Sequence, residues 1–104
     1  MQLQGEKTAN EKYIAGRKFE YEIIRYFEEK GYYTIRSAGS KGLADIVAIS
    51  YNNRPCDMPI IIQAKKYKDT KPKPEQEFID FDINATKIWC TKRRGQHGFD
   101  IEYV

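Results

Sequence analysis

Asp45 opens a strand-like run, and Gln63-Ala64-Lys65 closes the end of the next one, so a carboxylate, an amide oxygen and an ammonium recur at strand spacing. Side chains alternate along a strand, which puts Asp45, Val47 and Ile49 on one face and groups Ile61, Gln63 and Lys65 in the same way. A hairpin pairing in which Asp45 lies near Lys65 brings Asp45, Gln63 and Lys65 to the same side of a sheet. Glu20, from a preceding helix, is then expected on that side as well. Hard oxygen donors of this kind suit Mg²⁺ or Mn²⁺, and an ammonium beside them orients or deprotonates a water, or stabilises charge on a phosphate. Phosphodiester hydrolysis needs those parts. Taken singly, each residue also has a plain structural reading: a turn aspartate, a solvated lysine at a strand end, an ion-paired glutamate.

The elements that must position these groups follow from the pattern. Thr8-Ala9-Asn10-Glu11 has the T-x-x-E form of a capping box, and Gly31 stands where a helix-terminating glycine belongs, so a helix of about twenty residues is expected between them. At 100° per residue, Tyr13, Gly16, Phe19, Ile23, Ile24 and Phe27 fall within about 140°, and Arg17, Lys18, Arg25, Glu28 and Glu29 lie outside that arc. Glu20 is the exception, because it projects near the middle of the apolar arc, where a carboxylate needs a partner. Strands are expected at Tyr32 to Arg36, Asp45 to Tyr51 and Ile60 to Tyr67, from their β-branched and aromatic content. The connections are SAGSKGLA, a loop of small residues, and NNRPCDMP, a hairpin turn. After the proline-punctuated KDTKPKP, the segment PEQEFIDFDINATK is expected to form a short acidic helix starting near Pro74. Two further strands, Lys87 to Lys92 and Phe99 to Val104, are joined by RRGQHG. The order predicts an α/β or α+β fold: a central mixed β-sheet of about five strands flanked by helices.

Composition removes most other classes. The chain has 104 residues, 40% hydrophobic and 32% charged, enough apolar material for one core and too little length for a two-domain enzyme. The net charge of +3 tilts toward acidic partners. Cys56 and Cys90 form no CxxC pair and His97 is the single histidine, so neither a zinc site nor a disulfide framework is indicated, and a reduced cytoplasmic setting is the default. No apolar run is long enough to span a membrane, and Met1 to Thr8 lacks the apolar region of a secretory signal. Gly-rich phosphate loops, GxSxG and internal repeats are absent.

Four segments in order, G-R-K-F-E (Gly16 to Glu20), R-S-A-G-S-K (Arg36 to Lys41), D-I-V-A (Asp45 to Ala48) and I-I-I-Q-A-K (Ile60 to Lys65), resemble the archaeal-type Holliday junction resolvases of the PD-(D/E)XK nuclease superfamily. The resemblance covers Gly16 to Tyr67 and, more weakly, the closing strands. It implies a restriction-endonuclease-like core spanning 1–104 as one nuclease domain. The implied activity is a homodimeric, Mg²⁺- or Mn²⁺-dependent endonuclease that cuts four-way DNA junctions. By the same resemblance Glu20 is similar to the helix glutamate, Asp45 to the metal-bridging aspartate and Lys65 to the catalytic lysine. Arg36 and Ser40 match the functional arginine and loop serine. The expected metal set is Glu20, Asp45 and Gln63, with the Ala64 carbonyl as a further donor. Two positions depart from the family pattern: Gln63 replaces the usual glutamate, which removes one negative charge, and Tyr21 follows the helix glutamate where an arginine is frequent. The family's home is archaea or their viruses.

Five lysines against one aspartate lie between Gln63 and Pro74. Lys66 and Lys68, with Arg36, Ser40 and Lys41 across the glycine-containing loop, are expected to border one DNA cleft, and Arg17 and Lys18 extend it; contacts go to phosphates rather than base edges. Glu75, Glu77, Asp80 and Asp82 are expected to face away. A chain this short needs a second copy to hold a branched substrate. Three alternatives stay open: a nuclease of flaps, nicks or duplex, a weakly catalytic junction-binding module, and a domain with no nucleic-acid role.

Overall fold

A computed structural model describes residues 9–37, 43–51 and 58–104. Helix α1 (Ala9–Glu29) leads into β1 (Tyr32–Arg36), β2 (Ile46–Ser50) and β3 (Ile60–Tyr67), then α2 (Gln76–Asp80), β4 (Thr86–Arg93) and β5 (Asp100–Tyr103). The strands form one sheet in the order β1-β2-β3-β4-β5, antiparallel except for the central β3–β4 pair, which is parallel. This is the expected α+β architecture, a mixed five-stranded sheet flanked by helices and consistent with a restriction-endonuclease-like core. Gly31 ends α1 at φ 91°, a conformation that glycine adopts without the steric cost of a Cβ. Thr8, the first residue of the expected capping box, lies outside the described residues.

Each sheet face has its own cover. On one, Phe19, Ile23 and Phe27 of α1 pack on Ile46, Ala48, Ile60, Ile62, Ile88 and Cys90, the core that the 3.6-residue periodicity anticipated. Phe99 adds edge-on ring contacts to Phe19 and Tyr26 at 5.7 and 5.4 Å. Lys92 Nζ donates to both oxygens of Glu22, at 2.8 and 3.1 Å, and so ties β4 to α1. The alternate residues, Ile61, Gln63, Trp89 and Thr91, are also buried. Over this second row runs the β3–β4 crossover: Trp89 Nε1 donates to the Pro72 carbonyl at 3.3 Å, and Lys87 Nζ to the Ile79 carbonyl at 2.6 Å. A parallel strand pair is normally covered on both faces, and here the second cover is slight.

The second helix is shorter than expected. It ends at Asp80, and Phe81 is extended at φ −60°, ψ 117°. Phe78 is the one residue of α2 that is buried, while Phe81 and Ile83 are exposed, so beyond Asp80 no packing supports another helical turn. Phe78→Ala is expected to lower unfolding free energy by about 3 kcal/mol in guanidinium titrations and to shift Trp89 emission, since the crossover loses its anchor. Phe81→Ala should cost less than about 0.5 kcal/mol. Equal losses from the two variants would contradict the packing described.

Candidate active site

Asp45 sits where β2 and β3 begin to diverge, and it is fixed on three sides. Its N–H donates to the Ile62 carbonyl at 2.8 Å, its carbonyl accepts from Ser37 N–H at 2.8 Å, and its Oδ2 accepts from Ala64 N–H at 2.9 Å. The aspartate therefore brackets Gln63. The expected pairing with Lys65 is corrected by two residues, because Ile46 lies opposite Ile62. Burial pushes the Asp45 carboxyl above its ordinary value; the Ala64 N–H opposes this, the Glu75 carboxylate adds to it, and the Lys65 and Arg36 cations pull the other way.

Glu20 has the partner that its place on the apolar arc demands. Arg36 Nε donates to Glu20 Oε1 at 2.8 Å, with both side chains largely shielded, and the guanidinium stands 5.3 Å from the centre of the Tyr21 ring. Burial raises the Glu20 carboxyl as well, offset by its bond to Arg36 and reinforced by Asp45. Arg36 was expected to meet phosphate; in the structure it grips Glu20. Tyr21, read as a departure from the family pattern, supplies the surface beneath that arginine.

The expectation that Glu20, Asp45, Gln63 and Lys65 share one side of the sheet does not hold. Helix α1 packs on the Ile60–Ile62 row, and Gln63 belongs to the opposite row with Trp89, its register partner on β4. Asp45, just before β2, is hydrogen-bonded to Ala64 N–H beside Gln63 and stands within electrostatic reach of Glu20, Arg36 and Lys65. Gln63 is 8% exposed, and its Oε1 is buried with no hydrogen-bond partner, as is Thr91 Oγ1 one strand over. An unpartnered buried acceptor is costly, and an amide oxygen of this kind is a hard donor that suits a divalent cation. Among the described residues, no three His, Cys, Asp or Glu side chains form a cluster that would hold a metal ion.

Glu20 and Lys65 meet in a cleft of about 460 Å³ between α1 and the end of β3, lined also by Gly16, Lys66, Lys68 and Arg94. Lys66 and Lys68 lie on its wall at the end of β3 and just beyond it. Arg17 and Lys18 are exposed on α1. Ser40 and Lys41 lie outside the described residues. Two residues were read differently from the sequence, where Arg94 belongs to a second basic cluster, Lys92-Arg93-Arg94, rather than to this cleft. Arg94 reaches the cleft because β4 runs parallel to β3 and ends beside it, a pairing that no local pattern signals. Glu75 was expected to face away with its acidic neighbours; it is exposed just before α2, and its charge adds to the upward push on the Asp45 carboxyl.

The raised carboxyl pKa values give a signed prediction. The folded protein holds protons that the unfolded chain has already lost, so stability falls as pH rises from the ordinary carboxylate range through the raised folded values. Asp45→Asn keeps an acceptor for Ala64 N–H and removes the buried charge. It should raise the melting temperature of the metal-free protein at pH 7, and the gain should shrink as pH approaches the ordinary aspartate value of 3.8. A lower melting temperature at pH 7 would show that the charge is not a burden to the fold.

Comparison with known proteins gives one match. Residues 11–85 fit the family model described as archaeal Holliday junction resolvase (Hjc). No curated protein and no solved structure matches. The matched span runs from α1 through the crossover and includes Glu20, Arg36, Asp45, Gln63 and Lys65, so the chain belongs to the archaeal Holliday junction resolvase family.

Proposed function

We propose that the chain is a metal-dependent, structure-specific DNA endonuclease that resolves four-way junctions by phosphodiester hydrolysis. The observation that carries this reading is Asp45, bound to Ala64 N–H and within electrostatic reach of Lys65, at a cleft that gathers Lys65, Lys66, Lys68 and Arg94. Asp45, Gln63 Oε1 and the Ala64 carbonyl would hold Mg²⁺ or Mn²⁺, while Glu20, paired with Arg36 on the other side, would act on the ion only through its charge. The unpartnered amide oxygen of Gln63 supports that fit. When bound, the cation would polarise the scissile phosphate and acidify a water.

The protein's own groups do the rest. Asp45, fixed by its bonds to Ile62 and Ala64, is held in place to orient the donor set. Lys65 orients the attacking water and stabilises charge on the phosphate. Arg36 holds Glu20 in place at 2.8 Å, and the guanidinium, with the hydroxyl of Ser40 and the ammonium of Lys41, would engage substrate phosphates. Lys66 and Lys68 carry phosphates along the cleft, and Arg17 and Lys18 extend the track on α1. A homodimer would present two such sites to a branched substrate, and the exposed Tyr33, Ile35 and Ile49 on β1 and β2 offer apolar surface for the contact.

A second reading has its own support: with an amide at position 63 and no acidic cluster among the described residues, the chain would bind junctions and cut them weakly.

Nicking of a synthetic four-way junction in Mg²⁺ or Mn²⁺ separates these readings. The endonuclease reading expects cleavage, abolished by Asp45→Asn and reduced at least about a hundredfold by Lys65→Ala. Salt-sensitive junction binding without cleavage, by the wild type and by Gln63→Glu alike, would favour the binding module; comparable cleavage of linear duplex would remove the junction preference. For the cleft, Lys66→Ala and Lys68→Ala should each flatten the dependence of log affinity on log salt by about 0.9, and unchanged slopes would place the DNA elsewhere. Sedimentation at micromolar concentration should give a dimer, and Ile35→Lys should dissociate it.

A further inference from the structure

Gly16 stands inside α1, in ordinary helical backbone, where glycine is the least favourable residue short of proline. Among the described residues, a Cβ built there would meet nothing within 4 Å beyond its own helix, so neither packing nor backbone angle demands a bare backbone. What the missing side chain leaves open is the cleft of about 460 Å³ between α1 and the end of β3. Phe19 and Ala64, which line it with Gly16, are buried and half-buried, whereas Lys65, Lys68 and Arg94 are exposed. The cleft therefore has an apolar floor and a cationic rim. Glu20, the one carboxylate among its described lining residues, is answered by Arg36 at 2.8 Å, so the positive charge at the rim is left for a ligand.

An apolar floor beneath several cations fits a group that carries both a flat apolar body and phosphates. A duplex is too bulky for a space of this size, which matches a single small-molecule ligand. One nucleotide outside the stack has the right size and both chemistries, and glycine lets it approach the helix backbone closely. We propose that the cleft receives one unstacked nucleotide of the branched DNA, its base over Gly16 and its flanking phosphates on Lys65, Lys68 and Arg94. The inference rests on the junction-nuclease reading above and deepens it by naming the form of strand that is recognised. Extrusion costs least where pairing and stacking are already interrupted, as at a branch point. Preference for branched over linear DNA then comes from the ease of extrusion, with no base edge read.

The test is a four-way junction with 2-aminopurine in place of one adenine at the branch point, mixed with excess protein in EDTA so that nothing is cut. The probe brightens when it leaves the stack, so the wild type should raise its emission several-fold, and should leave it unchanged when the probe sits mid-arm. Gly16→Leu fills the floor; it should lose most of the rise and bind the junction about tenfold more weakly. Gly16→Ala favours the helix and should melt about 4 °C above the wild type, with a rise between those of the wild type and Gly16→Leu. Circular dichroism establishes folding, and Gly16→Ala decides the matter alone if Gly16→Leu is unfolded. If the wild type binds the junction without brightening the probe, or the folded variants brighten it as the wild type does, the inference is overturned; nicking in Mg²⁺ or Mn²⁺ then leaves the endonuclease reading standing. If the wild type neither binds nor nicks a junction, both fall.

Discussion

The bond from Ala64 N–H to Asp45 Oδ2 is the constraint on which the site depends. A backbone donor in β3 is held by the side chain of the residue just before β2, so the sheet and the acid are one unit. Each neighbouring group is placed relative to that bond: Gln63 precedes the donor, Lys65 follows it, and Ser37 at the end of β1 donates to the Asp45 carbonyl. A charge in this position is expensive, as the upward push on its carboxyl records. The fold tolerates it because β3 is supported by α1 on one face and by the crossover on the other.

Two pairs of opposing demands meet around Asp45. Toward α1, Glu20 is buried and answered by Arg36, which rests in turn on Tyr21. Toward the crossover, Gln63 is buried and unanswered. The first side is neutralised within the protein; the second has an open valence. This asymmetry explains why an amide is tolerable at position 63: a second uncompensated carboxylate there would repel Asp45, while a glutamine leaves a dipole.

Much of this was legible in the sequence, for identifiable reasons. Gly31, the Phe19-Ile23-Phe27 stripe and the β-branched runs are local signals, and the structure places α1, β1 and β3 within a residue or two of expectation. Trp89 is buried, as its strand context suggested. What failed depends on the third dimension. Register between β2 and β3 is set by a turn whose length says little, and the slip of two residues changed the neighbour of Asp45. Which face of the sheet α1 covers is decided by the Ile60–Ile62 row, so Glu20 and Gln63 were placed together when they belong to opposite sides. The brevity of α2 follows from having one buried residue, which composition does not reveal.

The Glu22–Lys92 ion pair joins residues 70 positions apart and has a consequence for how the protein comes into being. Helix α1 is made well before β4, the strand that fixes it. A chain emerging from the ribosome can close the β1–β2 ribbon early, whereas the cleft between α1 and β3, with Arg94 at its rim, waits for β4. The cleft is therefore assembled only once β4 has emerged, and a chain that has reached no further than β3 lacks it.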